Sequence, residues 1–93
     1  MKIHNTTTIL KSIADDTRLS IVRKLAANNC EESSSDIVTD CATSLQLTQP
    51  TMSHHFSRLV QSGVLLERKI GTGKHYRLNH ALLTSVGIDP TKL

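Results

Sequence analysis

Apolar residues recur at helical spacing over most of the chain, which predicts a mainly α-helical protein. A short first helix is predicted over residues 6–14, where the apolar stripe consists of Ile9, Leu10 and Ile13. Asp15 then stands in the position of an N-cap and predicts that a second helix begins there. The predicted buried face of this second helix comprises Leu19, Val22, Leu25 and Ala26.

The polar stretch 28–35 is predicted to be a linker, because Asn and Ser favour turns and no residue in it offers a core face. Helical spacing resumes afterwards and predicts a third helix over about residues 36–45, with Leu47 as the apolar plug of the following turn. The apolar positions of this helix are Ile37, Val38, Cys41, Ala42 and Leu45. Ser33 and Asp36 also fit a variant of the capping box, which leaves the start of the helix open by a few residues.

A fourth helix is predicted over residues 48–62, with Thr48 as its N-cap and Pro50 in the first turn, where a missing N–H has no cost. At about 100° per residue, this helix has one apolar and one polar side. The apolar side holds Met52, His55, Phe56, Leu59 and Val60, and the polar side holds Thr51, His54, Ser57, Arg58 and Gln61. Because the polar side has no carboxylate, it can donate hydrogen bonds to base edges and phosphates without repelling a nucleic-acid backbone.

A hairpin and a last helix complete the predicted elements. Gly63 ends the fourth helix, and strands are predicted over 65–70 and 74–78 around the turn Gly71-Thr72-Gly73. Residues 79–86 are predicted to form a short terminal helix that Asn79 caps and Gly87 ends. The predicted fold class is therefore mainly α with a small β-hairpin, which is an α+β fold.

Two segments of the chain carry a specific resemblance. LTQPTMSHHFSRLVQSGVLLERKIGTGKHYRL resembles the helix-turn-helix and wing of the ArsR family of bacterial winged-helix repressors, and QPTMSHH is its specific part. Upstream, LKSIADDTRLSIVRKLA is similar to the segment that opens the second helix of that family. The resemblance covers about residues 9–79. It implies one winged helix-turn-helix domain over 1–93, in the order α-α-α-α-β-β plus a short C-terminal helix, with the helix-turn-helix at about 36–62 and the wing at about 65–78.

The charge distribution agrees with a polyanionic partner. The net charge is +3, but residues 1–47 hold five Lys/Arg against six Asp/Glu, whereas residues 48–80 hold five Lys/Arg against Glu67 alone. Histidines 54, 55, 75 and 80 lie in the basic segment and could add positive charge near an anion. A solvated basic face is the alternative that composition alone leaves open. A chain of 93 residues forms one domain with a small core, so a dimer interface would help to stabilise it.

Cysteine usage and hydropathy predict a cytoplasmic protein. The spacing of Cys30 and Cys41 is typical neither of metal ligands nor of the disulfides of secreted proteins, which favours a reducing compartment. No apolar run reaches the roughly 18 residues of a membrane span, and the polar N-terminus does not fit a signal peptide. Ser, His and Asp are present without a local catalytic signature, so neither an enzyme nor a cofactor is predicted.

The resemblance also bears on sensing. Family members that sense thiophilic metals place a Cys-x-Cys pair at the positions that Ile37 and Thr39 occupy here, and others use Asp and His pairs on a long last helix, where this chain has His80 alone. The usual metal ligands are therefore predicted to be absent. Cys30 and Cys41 remain weak candidates for a thiol- or metal-responsive repressor, although the spacing favours a buried structural thiol at Cys41. No pattern identifies a small-molecule or metal effector.

The resemblance implies a homodimeric repressor that binds an inverted-repeat operator in double-stranded DNA, with half-site centres about 10 base pairs or a multiple apart. Base readout is assigned to residues near the start of the fourth helix, namely Gln49, Thr51, Ser53 and His54. Backbone contacts are assigned to Thr48, Arg58, Lys69, Lys74, His75 and Arg77. A winged-helix protein-interaction module is the competing class, but it predicts an apolar exposed face, and polar residues occupy that face here.

The first and last helices build the dimer interface in this family. The resemblance therefore places four apolar residues near that interface, namely Ile9, Ile13, Leu82 and Leu83. The alternative is that these side chains only close the core of the single chain, which is small enough to need them.

Overall fold

The computed structural model describes residues 6–28, 32–33, 37 and 49–93. The helices within these ranges are α1 (Thr6–Ile13), α2 (Asp16–Asn28), α3 (Gln49–Ser62) and α4 (His80–Ser85), followed by a 3-10 helix (Pro90–Lys92). The strands are β1 (Glu32–Ser33), β2 (Leu65–Ile70) and β3 (Gly73–Leu78). The predicted α+β class is confirmed, and each predicted element that falls in the described ranges lies within about one residue of its expected bounds.

Helices α2 and α4 each begin at a side-chain cap. Asp15 accepts a hydrogen bond from the backbone N–H of Arg18 at 3.0 Å, which confirms it as the cap of α2. Asn79 caps α4 in the same way, because its side-chain oxygen accepts from the N–H of Leu82 at 3.2 Å. The Asn79 side-chain amide also donates to the carbonyl of Gly63 at 3.0 Å, a bond that the sequence pattern did not predict. Asn79 therefore fastens the start of α4 to the end of α3.

The sheet has three antiparallel strands in the order β1-β3-β2, which corrects one sequence prediction. The stretch 28–35 was predicted to be a linker, but Glu32 pairs with Tyr76 and Ser33 pairs with His75. Backbone pairing needs no apolar pattern, and β1 supplies hydrogen bonds to an edge of β3 that would otherwise present unpaired groups. The hairpin is therefore supported on its outer side.

The core lies between α1, α2, α3 and the inner side of the sheet. The predicted apolar face of α3 is confirmed, because Met52, Phe56 and Leu59 are buried. On α2, Val22, Leu25 and Ala26 are buried as predicted. Ile21, which was not predicted, is also fully buried, whereas Leu19 is only half-buried. Ile37 is helical and fully buried, and the rest of the predicted third helix lies outside the described residues.

Three of the four residues predicted near the dimer interface are buried within the single chain. Ile9 and Leu83 are 0% exposed in the single chain, and Ile13 is 8% exposed. All three belong to one apolar cluster, so their side chains are part of the core of the chain. Leu82 is only partly buried, and Leu10 on α1 is 48% exposed. Any partner that docks on α1 and α4 therefore meets these two leucines rather than the three buried residues.

Candidate nucleic-acid interface

The outer side of α3 is an exposed polar surface. Ser53, His54, Ser57, Arg58 and Gln61 are exposed there, and the helix has no Asp or Glu. Hydroxyl, imidazole, amide and guanidinium groups can all donate hydrogen bonds, so this surface suits an acceptor-rich, negatively charged partner. Gln49 and Thr51, also predicted to read bases, lie in the first turn of α3, while Thr48 lies outside the described residues.

A cleft of about 260 Å³ separates α3 from the tip of the hairpin. Ser53 and Ser57 line it on the helix side, and Thr72, Gly73 and Lys74 line it on the hairpin side. The fold thus brings Ser53, a predicted base reader, next to Lys74, a predicted backbone contact. A strand of nucleic acid that met α3 would therefore lie within reach of the hairpin tip.

The floor of this cleft is an aromatic pair that sequence reasoning missed. The rings of Phe56 and Tyr76 stack with centroids 4.5 Å apart and planes 8° from parallel. Both residues are buried, so the pair holds β3 against α3. They are 20 positions apart, and nothing in the local pattern around either residue identifies the other as its partner. The available signal was that the chain has one Phe and one Tyr and that both occupy apolar-face positions.

Glu67 on β2, the one acidic residue of the hairpin, contacts two side chains of β3. The Tyr76 hydroxyl donates to Glu67 Oε1 at 3.1 Å, and Lys74 Nζ lies 3.3 Å from the same oxygen. Burial, together with the charge and hydrogen bond of Glu67, raises the pKa of Tyr76 to about 12. The phenol therefore remains a donor at neutral pH. Lys74 is half-exposed, so its ion pair is weak enough for a phosphate to replace.

The hairpin register divides the predicted backbone contacts between two faces. Lys69 is directly opposite Lys74, and Glu67 is opposite Tyr76, so these four residues share the face toward α3. Arg77 lies opposite Leu66 and belongs to the other face. Lys74 thus lines the cleft and Lys69 lies opposite it on the same face, whereas Arg77 could reach only a strand that passes along the outside of the hairpin.

Arg58 is separated from the hairpin contacts as well. It lies near the other end of the polar face of α3 and lines a second cavity, together with residues of α1 and α2. The predicted contacts therefore form a path around α3 rather than a single patch. Ser53 and Lys74 lie at the cleft and Lys69 is paired with Lys74, while Arg58 and Arg77 lie away from the cleft.

A polar cluster joins the start of α2 to α3 beneath this surface. Arg18 donates through Nε to the carbonyl of Ser12, and its Nη1 lies 3.2 Å from His55 Nδ1. Because a guanidinium can only donate, Nδ1 of His55 accepts, and its ring is neutral. Asp15 Oδ2 lies 3.6 Å from the same nitrogen. Arg18 therefore links α1, α2 and α3.

The two titratable groups of this cluster both have lowered pKa values. Burial lowers the pKa of His55, and the positive charge of Arg18 adds to this effect while Asp15 opposes it. Partial burial alone would raise the pKa of Asp15, but the Arg18 N–H bond and guanidinium charge outweigh it and lower that pKa. A lowered native pKa means that the unfolded state takes up protons first as the pH falls. The stabilisation from this cluster is therefore complete near neutral pH and fades in acid.

Within the part of the chain that the structure describes, no three His, Cys, Asp or Glu side chains come together in an arrangement that could hold a metal ion. None of the described helices combines the length and apolar character needed to cross a membrane. Cys30 and Cys41 lie outside the described residues.

The amino-acid sequence is similar to those of known bacterial regulatory proteins. Residues 15–65 match the family described as bacterial regulatory protein, arsR family. An arsenical resistance operon repressor from Staphylococcus aureus is 36% identical over 86 residues, which are 92% of this chain and 77% of that protein. The arsenical resistance operon repressor of Escherichia coli K12 is 42% identical over 71 residues, 76% of this chain. The chain matches 56% of the length of that second relative.

A solved structure shares the fold. The chain superimposes with a TM-score of 0.67 and 25% sequence identity on the homodimeric winged helix-turn-helix DNA-binding domain of a possible ArsR-family regulator from Mycobacterium bovis. The match covers 86% of this chain and 69% of that one. In a winged helix-turn-helix, α3 corresponds to the helix that enters the major groove, and β2 with β3 corresponds to the wing.

Proposed function

Because the chain belongs to the ArsR family of bacterial regulatory proteins, we propose that it is a cytoplasmic homodimeric repressor that binds an inverted-repeat operator. The observation that carries this proposal is the exposed, acid-free side of α3 next to a cleft that Lys74 of the wing lines. In each protomer α3 lies in the major groove, and the wing lies against the adjacent backbone. Bound dimers would then occlude a promoter.

Two-fold symmetry sets the spacing of the operator. Two copies of α3 in successive major grooves require half-site centres about 10 base pairs, or a multiple of that distance, apart. We place the dimer contact on the outer sides of α1 and α4, where Leu10 is exposed and Leu82 is partly buried. An exposed leucine is stabilised when a second copy covers it, and a two-fold interface makes each such contact twice.

We assign the side chains of α3 and the wing to different roles. Residues near the start of α3 read base edges, because the first turns of such a helix reach deepest into the groove. These readers are Gln49, Thr51, Ser53 and His54. Charged and polar groups farther from the groove floor hold phosphates, and these are Thr48, Arg58, Lys69, Lys74, His75 and Arg77.

Substitutions should separate these roles. We expect His54→Ala to cost about 1–3 kcal/mol at particular base pairs and to relax the preference there. Arg77→Ala should instead weaken binding to all sequences alike, because a phosphate contact carries no sequence information. The measurement is a selection of bound DNA from random sequence, followed by affinities for the selected site and for single-base variants of it.

The matched control is Lys92→Ala, which removes one exposed positive charge in the 3-10 helix, away from α3 and the wing. It should leave both affinity and preference unchanged. If Arg77→Ala altered the preferred site while His54→Ala did not, the roles of wing and helix would be the reverse of those proposed.

We also propose that thiophilic metals do not control this repressor through the usual thiolate pair of its family. Ile37 occupies the first of the two expected cysteine positions and is a fully buried apolar residue, and Thr39 occupies the second. Neither side chain can supply a thiolate. Micromolar zinc, cadmium or arsenite should therefore leave the protein bound to its operator. The measurement is operator release during titration with each metal.

The alternative uses Cys30 and Cys41 as ligands, completed across a dimer by His4. Metal binding would then release protons from both thiols and would tighten as the pH rises. The variant Cys30→Ser with Cys41→Ala separates the two cases. Metal-driven release by the wild type that disappears in this double variant would establish a cysteine-based sensor and overturn the proposal.

A further inference from the structure

A second cavity, of about 400 Å³, lies on the opposite side of α3 from the wing, where α1 and the start of α2 meet that helix. Its volume is at the lower end of the range for small-molecule sites. The residues that line it are Thr8, Lys11, Ser12, Arg18, Arg58, Gln61 and Ser62. Three of these residues are cationic, four carry hydroxyl or amide groups, and none is acidic.

The charges in this cavity are unevenly compensated. Arg18 is bonded to Ser12 and His55, and Asp15 lies near it, so part of its charge is already balanced. Lys11 and Arg58 are exposed, and neither has an ion-pair partner among the described residues. Two positive charges from different helices therefore face one cavity without a carboxylate between them.

The polar floor of the cavity is fixed. Ser62 is 3% exposed, and its Oγ lies 3.0 Å from both Ser12 Oγ and the carbonyl of Leu59. Ser12 donates in turn to the carbonyl of Ile9 at 2.7 Å. One hydroxyl proton serves one acceptor at a time, so the serine pair is satisfied within the protein. A ligand would therefore be held mainly by the cations at the mouth and not by the serines.

We propose that this cavity binds a small anion with two or more negative charges, a phosphate ester or a polycarboxylate, and that the bound anion weakens DNA binding. A planar guanidinium favours bidentate contact with either oxyanion, and an ammonium adds a point charge from the facing helix. The link to DNA rests on the proposed function, in which Arg58 holds an operator phosphate. A ligand anion and that phosphate compete for the same guanidinium.

The site remains open in the proposed dimer. Leu10, which marks the dimer side of α1, lies about 160° around the helix axis from Thr8 and Ser12, at about 100° per residue. The cavity and the dimer contact are therefore on different sides of α1. A ligand can reach Lys11 and Arg58 whether or not a second copy covers Leu10.

The first test uses the full chain without DNA. Pyrophosphate and citrate are titrated by calorimetry at constant ionic strength, with sodium chloride making up the difference. We expect saturable binding that Lys11→Gln and Arg58→Gln each weaken about three- to tenfold, since each removes one partly screened charge. Lys92→Gln, which removes a charge outside the cavity, should bind as the wild type does. The inference would be overturned if pyrophosphate and citrate bound no more strongly than chloride. It would also be overturned if Lys92→Gln weakened binding as much as Lys11→Gln and Arg58→Gln do.

The second test separates a small anion from a DNA phosphate. At constant ionic strength, pyrophosphate should weaken operator binding by the wild type and have several-fold less effect on Lys11→Gln. If Lys11→Gln lost operator affinity as fully as Arg58→Gln while the DNA-free protein ignored pyrophosphate, the cavity would be a DNA-backbone contact and the inference would be wrong. If pyrophosphate bound as expected but no DNA sequence bound, the proposed function would fail and the anion site would stand. A thermal melt of each variant confirms that it is folded.

Discussion

Raising the salt concentration from about 50 to about 200 mM should weaken operator binding by roughly 250- to 1,000-fold, which corresponds to a log-log slope of about −4 to −5. The physical reason is the release of counterions from DNA when cationic side chains replace them at phosphates. Residues 48–80 of each protomer hold five Lys/Arg against one acidic residue. Because Lys74 shares Glu67 with Tyr76, its contribution is partly compensated, and about four to six phosphate contacts per dimer are expected.

Fluorescence anisotropy of labelled operator DNA over a salt series measures this slope. Arg77→Gln should reduce its magnitude by about two, one contact for each protomer, whereas Lys92→Gln should leave it unchanged. An affinity that stayed flat over this salt range would remove DNA as the partner. A steep slope that Arg77→Gln failed to change would instead place the contacts elsewhere on the chain.

Local signals were sufficient to predict the elements around the interface. Pro50 in the first turn marks the start of α3, and Gly63 after the last turn marks its end. Gly71 and Gly73 mark the hairpin turn. The 3.6-residue period separated the buried face of α3 from its polar face. These signals act within a few residues of the chain, so one sequence is enough to interpret them.

Contacts between distant residues could not be predicted in the same way. Periodicity shows that Ile9 lies on an apolar face, but it does not show whether the same chain or a second copy covers that face. The pairing of Arg18 with His55 joins positions 37 apart, and each residue has an ordinary local context. The strand β1 escaped prediction because backbone pairing to β3 depends on position in space rather than on composition.

The effect of a charged residue also depends on contacts that the local sequence does not show. From composition alone, Glu67 is one acidic residue in the basic segment 48–80. It lowers the net charge of that segment, which suggests weaker DNA binding. In the structure, Glu67 accepts the Tyr76 hydroxyl and lies beside Lys74, so it orients two groups that line the cleft. The effect of Glu67 on DNA binding therefore depends on where its carboxylate lies as well as on its charge. Amino-acid composition does not show where a side chain lies.

Replacing Phe56 with Ala should lower the free energy of unfolding by about 3–5 kcal/mol, a large part of the stability of a small domain. Phe56 is buried, and its ring stacks on Tyr76, so the substitution opens a cavity between α3 and β3. Urea unfolding, followed by circular dichroism, measures the loss. A cost below about 1 kcal/mol would show that the stack contributes little to stability.

The control Phe56→Leu retains an apolar side chain and removes the ring. Loss of the stacking with Tyr76 should lower the free energy of unfolding by about 1.5 kcal/mol or less. The smaller volume of the leucine side chain adds its own cost to this figure. The folded variant should nevertheless bind DNA more weakly than the wild type, and equally so for all sequences, since the stack fixes the distance between α3 and the wing tip. Operator affinities measured well below the unfolding transition test this point. If Phe56→Leu bound as the wild type does, packing of any apolar side chain would be sufficient to position the wing, and the aromatic geometry would serve stability alone.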